Sequence, residues 1–205
     1  FVMAPLLAAC GGGNSSTATN DPTPDPVTIS GQVMDGYLQD ARVFLDLNNN
    51  GLHDASEPET RSGANGEFSL STTETIPDDA TVIAEAVAGV TIDRDDDQTV
   101  PLGYTLRSPL IKNTGAVSAQ NAGDARDLDS YTSIVSPLTT LISTEMIANG
   151  RTFEAAADKV AADLGLSIAP EKNYIKLKES DDPEIVRNAE RAHRISQVLA
   201  RIQAK

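Results

Sequence analysis

The chain has 205 residues, a net charge of −14, no Trp and a single Cys. This length is sufficient for one domain with a substantial core or for two small ones, and the single Cys excludes an internal disulfide. Of the 30 acidic residues, 20 precede Tyr131, together with only 6 of the 16 basic residues. The concentration of negative charge argues against nucleic acid or anionic lipid as a partner of that part and favours cations.

The first residues look like the end of a secretory signal that runs into a bacterial lipoprotein processing site. The stretch Leu7-Ala8-Ala9-Cys10 ends an apolar start and is followed by the polar run 11–16. Small residues before the cysteine suit a signal peptidase, and the thiol of Cys10 would carry the lipid. We expect a partial lipoprotein signal over 1–10; the alternative is an apolar strand with an unrelated free Cys. Gly11 is not the Asp that retains such lipoproteins at the inner membrane, which favours an extracytoplasmic, lipid-anchored protein at the outer membrane of a Gram-negative bacterium.

Residues 11–26 predict a flexible tether, because Gly, Ser, Thr, Asn and Pro dominate and apolar residues are too few to pack. Residues 27–112 predict a β-sandwich, since short alternating segments are separated by turn signals such as Asp35-Gly36 and Asn65-Gly66. The predicted strands are Val27–Val33, Ala41–Leu45, Glu67–Ser71, Thr81–Val87, Val90–Ile92 and Tyr104–Ser108. The fourth and fifth of these could also be a single strand broken at Gly89.

A calcium loop is predicted over residues 46–57, which match a twelve-residue pattern of oxygen ligands. Gly51 permits the sharp turn at the sixth position, and Pro58 disfavours the exiting helix of a helix-loop-helix site. The predicted Ca2+ ligands are Asp46, Asn48, Asn50, the backbone carbonyl of Leu52, Asp54 and Glu57. The alternative is a polar hairpin loop without a metal, because Asn and Gly are also common in turns.

Three segments carry a resemblance to a known class of module: Asp35-Gly36-Tyr37-Leu38, residues 41–57 and Asn65-Gly66-Glu67-Phe68. They resemble the transthyretin-like, Cna-B or Sdr-B-type modules of bacterial surface proteins, and most closely carboxypeptidase-regulatory-like lipoproteins of Gram-negative bacteria. The resemblance covers about residues 27–141. It implies an antiparallel transthyretin-like or Ig-like β-sandwich with a structural calcium ion and no catalytic activity.

A second acidic cluster comprises Asp93, Asp95, Asp96 and Asp97. Neighbouring carboxylates repel each other unless a cation joins them, so the cluster could complete the first calcium shell or hold another ion. It lacks the Gly and the closing Glu of the first loop. A solvated acidic turn is therefore the favoured interpretation.

The second part of the chain predicts a linker or long loop over 113–135 and a helical region over 136–205. Ser136 with Pro137, Thr152 and Asp182 with Pro183 each mark a helix start, and Gly150 and Gly165 mark two helix ends. The third helix carries a broad apolar stripe that reaches almost to Lys205 without a stop signal. Either the chain is truncated there or this helix packs on the rest, and a partner helix is the alternative to core packing.

No catalytic motif accompanies these features: the sequence contains no Gly-x-Ser-x-Gly, no phosphate loop and no zinc-ligand spacing. We therefore expect a non-enzyme, namely a calcium-stabilised surface module for adhesion or for binding an unknown extracellular protein or glycan. Its membrane contact would be the lipid on Cys10. The alternative is the anchored accessory region of a larger secreted hydrolase.

Overall fold

The computed structural model describes residues 25–112 and 130–204. Cys10, the tether over 11–24 and most of the predicted linker lie outside these ranges. Within them, β-sheets are combined with four helices and the last element is a helix, so the expectation of a mixed β and α fold is confirmed. The strands are β1 Val27–Val33, β2 Leu38–Gln39, β3 Arg42–Asp46, β4 Glu59–Arg61, β5 Glu67–Thr72, β6 Thr81–Ala86, β7 Ile92–Asp93, β8 Gln98–Thr99, β9 Tyr104–Pro109, β10 Ile111–Lys112 and β11 Ser130–Val135.

The described strands form two four-stranded sheets and one three-stranded sheet. The first sheet has the order β10-β11-β1-β5, the second has the order β4-β3-β6-β9, and the small sheet has the order β2-β7-β8. Buried and exposed side chains alternate along strands such as β5, in which Phe68, Leu70 and Thr72 are buried and their neighbours are exposed. One core cluster contains side chains of both four-stranded sheets, for example Ile29 and Leu70 with Val43 and Leu106.

Strand β11 differs from the prediction in two ways. It occupies residues 130–135, at the end of the predicted linker, and it pairs with β1 in parallel, so the first sheet is not purely antiparallel. The segment is difficult to recognise because polar residues dominate it and only Ser133 and Val135 are buried. Pairing with a central strand, rather than a strong apolar alternation, places it in the sheet.

The helices are α1 Pro137–Asn149, α2 Phe153–Leu164, α3 Tyr174–Leu177 and α4 Pro183–Gln203. The predicted start of α1 is confirmed, because Ser136 and Thr139 form a reciprocal capping box, and Gly150 ends the helix in the left-handed region. The cap of α2 at Thr152 and its end at Gly165 are confirmed in the same way. No helix in residues 25–112 and 130–204 combines the length and apolar character needed to cross a membrane.

Helix α4 packs on the β region through its inner face. Ala189 and Ala192 belong to a core cluster that also contains Met34 and Tyr174. The hydroxyl of Tyr174 donates to the backbone carbonyls of Met34 and Asp35, at 3.3 and 3.1 Å. Core packing therefore accounts for this face of the apolar stripe, whereas Val198 and Ile202 of the same helix are 54% and 70% exposed.

Candidate functional site

The predicted calcium loop begins at the last residue of β3. The side chain of Asp46 is completely buried. Its Oδ1 accepts from the backbone N–H of Asn50 at 3.1 Å, and its Oδ2 accepts from the N–H of Gly51 at 2.8 Å. Gly51 has a φ of 79°, a left-handed conformation that glycine adopts without strain. The loop therefore turns around the Asp46 carboxylate.

Three of the other predicted ligands meet at one carboxylate oxygen. Asn48 and Asn50 each donate their Nδ2 to Asp54 Oδ2, at 2.7 and 3.0 Å. Their Oδ1 atoms accept from backbone N–H groups two residues further along, Asn50 N at 3.1 Å and Leu52 N at 2.7 Å. Each amide oxygen has a second lone pair, so these turns leave acceptor capacity for a cation.

The closing residue of the pattern, Glu57, joins both ends of the loop. It is only 6% exposed, and its Oε1 accepts from Leu47 N at 2.7 Å while its Oε2 accepts from Asp54 N at 2.9 Å. The structure thus brings the five predicted side-chain ligands into one hydrogen-bonded loop. The side chain of Leu52 is 68% exposed, in keeping with a residue whose predicted contribution is its backbone carbonyl.

The donor chemistry of the loop fits calcium, which prefers about six to eight oxygen ligands from carboxylates, amides and carbonyls. In the described part of the chain, no group of three or more His, Cys, Asp or Glu side chains is spaced to hold a metal ion. A shell at this loop would therefore depend on the amide and carbonyl oxygens as well as on the carboxylates of Asp46, Asp54 and Glu57. Calcium at the loop stays a prediction.

A basic residue that the sequence pattern does not indicate lies at the loop. Arg107 of β9 donates from Nη1 to Asn49 Oδ1 at 2.8 Å, and its Nη2 lies 3.5 Å from Asp46 Oδ2. No local signal connects Arg107 with Asp46, because the pairing of β9 with β6 and of β6 with β3 brings them together. Arg107 therefore supplies a fixed positive charge beside the buried Asp46 carboxylate.

The second acidic cluster lies at the other end of this sheet. Asp46 pairs with Thr81 at one end of β6, whereas Ala86, at the other end, pairs with Tyr104. The two ends are five residues apart, about 17 Å. The hydroxyl of Tyr104 donates to Asp35 Oδ2 at 3.1 Å, and the acidic hairpin contacts the segment around Asp35. This separation excludes the alternative in which the cluster completes the first calcium shell.

The four acidic residues of this hairpin have different environments. Asp95 Oδ2 accepts from Gln197 Nε2 at 2.8 Å and lies 2.7 Å from Nε2 of His193 on α4. Asp97 is exposed and pairs with Arg94 at 3.0 Å. Asp96 is also exposed and accepts from the N–H of Gln98. The prediction of a solvated acidic turn describes Asp96 and Asp97, whereas Asp93 is half-buried and the carboxylate of Asp95, an exposed residue, contacts α4.

Burial, neighbouring charges and hydrogen bonds shift the pKa values of several acidic groups around Asp35. Burial, followed by the charge of Asp93, raises the pKa of Asp35 to about 7. Burial also raises the pKa of Asp93. The hydrogen bond with His193 lowers the pKa of Asp95. Burial and the nearby Asp35 raise the pKa of the Tyr104 hydroxyl far above its ordinary value, so Tyr104 acts as a neutral hydrogen-bond donor.

Comparisons with protein-family models, curated proteins and solved structures gave no match for this chain.

The two histidines have structural neighbours: His53 packs edge-to-face on Phe44, with ring centroids 5.4 Å apart, and His193 stacks on Tyr174 at 5.6 Å. The arguments for function therefore depend on the two ends of the central strands β3, β6 and β9 of the second sheet, one at Asp46 and the other at Tyr104.

Proposed function

We propose that this chain is a non-catalytic, calcium-stabilised surface lipoprotein module that binds an extracellular protein or glycan. The observation that carries the proposal is the loop over residues 46–57, in which all five side-chain ligands of the calcium pattern share one hydrogen-bonded network. Lipid on Cys10 would anchor the module to the membrane, as the processing pattern predicts. The core shared by the two four-stranded sheets supports a transthyretin-like or Ig-like β-sandwich as the carrier of this loop.

Charge balance explains why such a loop would use calcium. Asp46 and Glu57 are buried carboxylates, and Asp54, which lies between them in the sequence, is half-buried. Buried charges are costly unless they are paired, and the ion pair of Arg107 is with Asp46, not with Asp54 or Glu57. A divalent cation would neutralise the remainder and hold the chain between β3 and β4 in place. The folded state would then be stabilised by ligand binding.

The test is the melting temperature of the chain in calcium and in excess chelator. At a calcium concentration about 100 times the dissociation constant, binding adds roughly 2.7 kcal/mol, a shift of several degrees for a domain of this size. The informative variant is Asp54→Asn, since Asp46 and Glu57 also hold backbone N–H groups and their loss would destabilise the loop without any metal. We expect Asp54→Asn to lose most of the calcium-dependent shift.

The matched control is Glu74→Gln, which removes an exposed carboxylate outside the loop and should retain the full shift. If the parent chain melts at one temperature in calcium and in chelator, the loop is a turn and the proposed function loses its support.

A further inference from the structure

A cavity of about 450 Å³ lies between the acidic hairpin, the segment before β9 and the last turns of α4. Its polar lining includes Asp35, Asp93, Tyr104 and Gln197, and Leu102 and neighbouring apolar residues form another part of the wall. The sequence positions of these residues are widely separated, so only the packing of α4 on the β region completes the cavity. Neither the calcium loop nor the proposed function makes use of it.

Asp35 carries an unpaired acceptor at this cavity. Only 5% of its surface is exposed, and its Oδ2 is engaged by the Tyr104 hydroxyl. Its Oδ1 is buried and accepts no hydrogen bond from the part of the chain that the structure describes. A buried carboxylate oxygen without a donor is among the costlier polar groups in a protein, so this atom is suited to a donor from outside the chain.

Negative charge is concentrated around Asp35. A Cβ on Gly36 would lie 2.4 Å from Asp93 Oδ1 and 2.8 Å from Asp95 Cγ, which shows how closely both carboxylates approach the backbone beside Asp35. Asp95 is already engaged by His193 and Gln197 of α4. No described ion pair joins Asp35 or Asp93 to a basic side chain; exposed Arg201 also lines the cavity and acts on Asp35 through its charge, against the three carboxylates of Asp35, Asp93 and Asp96. The local field therefore favours a cation.

The surroundings of the carboxylates distinguish among cations. Asp35, Asp93 and Asp96 line the cavity, and Val100, Pro101 and Leu102 form an apolar part of its wall. A hard divalent ion needs about six oxygen ligands, which an apolar wall cannot supply. An ammonium group needs only about three acceptors, and the apolar wall suits an alkyl chain attached to it.

We propose that this cavity binds a small organic cation through a primary ammonium group, with Asp35 and Asp93 as acceptors and Leu102 beside the alkyl part. Asp35 Oδ1 receives one N–H of the ammonium, and Asp93 supplies the second negative charge. Gly36 is required because any side chain there would displace the Asp93 and Asp95 carboxylates. Helix α4 contributes the opposite wall through Gln197 and Ala200.

The test is a titration of the full chain with n-butylammonium chloride at pH 8 in the presence of chelator, followed by NMR of the backbone and side-chain amides. The comparison cation is tetramethylammonium, which has the same charge but no N–H donor. We expect saturable shifts at Gly36 and at the Gln197 side-chain amide with butylammonium, and binding weaker by about tenfold or more with tetramethylammonium. Asp35→Asn should weaken butylammonium binding by a similar factor.

The matched control is Asp97→Asn, an exposed carboxylate of the same hairpin, which should leave the affinity unchanged. If Asp35→Asn does not fold, Asp93→Asn serves as the second variant with the same expected loss. Equal responses to both cations would mean nonspecific screening and would overturn the proposal. An absence of saturable shifts would show that the site accepts only a proton. Saturable shifts at the same residues on adding calcium without chelator would show a metal site. Either result would also overturn the proposal.

Discussion

Replacing Asp35 with Asn should remove a pH dependence of stability that the parent chain shows between about pH 4 and pH 7. Burial and the charge of Asp93 raise the folded-state pKa of Asp35 from 3.8 to about 7. Between these values the folded chain holds a proton that the unfolded chain has released. Stability is therefore greatest at the acidic end of this range, falls as the pH rises towards about 7, and is level above it.

The shift of the Asp35 pKa, from 3.8 to about 7, is about three units. Each unit corresponds to about 1.4 kcal/mol, so the parent chain should lose up to about 4 kcal/mol over this range. Such a loss is a large part of the 5 to 15 kcal/mol or so that stabilises a typical domain. The titratable and charged groups that act on Asp35 come from several elements: Asp93 and Asp95 of the hairpin, Tyr104 of β9, Tyr174 of α3 and Arg201 of α4.

The assay is urea denaturation at pH 5, 6, 7 and 8 in chelator, so that calcium binding does not contribute its own pH dependence. Asp35→Asn should be more stable than the parent at pH 8 and should show a nearly flat profile. Asp93, whose pKa is also raised by burial, acts in the same direction and leaves a small residual slope. Asp97→Asn is the control and should follow the parent. Parallel profiles for the parent and Asp35→Asn would refute the reasoning.

Two further substitutions test the geometry of the sheets. Arg107→Gln removes the fixed cation beside Asp46, so the variant should be less stable than the parent in chelator yet bind calcium more tightly, on the order of tenfold by calcium titration. The control is exposed Arg187→Gln, which should bind calcium like the parent. An unchanged calcium affinity in Arg107→Gln would contradict this prediction. Gly31→Ala would place a Cβ 1.8 Å from the carbonyl oxygen of Ser133 on β11, so it should cost about 1 to 3 kcal/mol in urea denaturation, whereas exposed Ser30→Ala on the same strand should cost little. A neutral Gly31→Ala would argue against the parallel β1–β11 pair.

The elements that were predicted correctly carry their signals within a few residues. Ser136 with Pro137 starts α1, Thr152 precedes α2, and Asp182 caps α4 through the N–H of Glu184. Capping depends on the side chain of one residue and the backbone directly after it, so it can be read without knowledge of the fold. The calcium pattern, which stays a prediction, is also local, since its proposed ligands lie within twelve residues.

The features that were missed depend on contacts between distant parts of the chain. Strand β11 has weak alternation and is specified by its neighbour β1. Arg107 reaches Asp46 across two strand pairs, and His193 meets Asp95 from a position 98 residues away in sequence. None of these pairings leaves a local mark in the sequence, because the helix and sheet packing that creates each one is itself non-local.

The Asp35-Gly36 dipeptide shows how one local signal can have a second, tertiary meaning. The sequence correctly marks it as a turn, because Met34 and Tyr37 form a β-bridge around it. The turn alone, however, would leave Asp35 in solvent and would accept several residues at position 36. Packing of α3 and α4 buries the carboxyl group, and the approach of Asp93 and Asp95 makes the missing Cβ of Gly36 necessary.

The two ends of the β3–β6–β9 sheet therefore differ in the cation that they suit. At the Asp46 end, carboxylate, amide and carbonyl oxygens are close together in one loop, which is the environment of a hard divalent ion. At the Tyr104 end, carboxylates line a cavity whose other wall is apolar, which is the environment of an organic cation. An acidic surface attracts every cation without discrimination. The surroundings of the carboxylates, an oxygen-rich loop at one end and an apolar wall at the other, rather than the net charge of −14, are what would direct calcium to one end and an organic ammonium to the other.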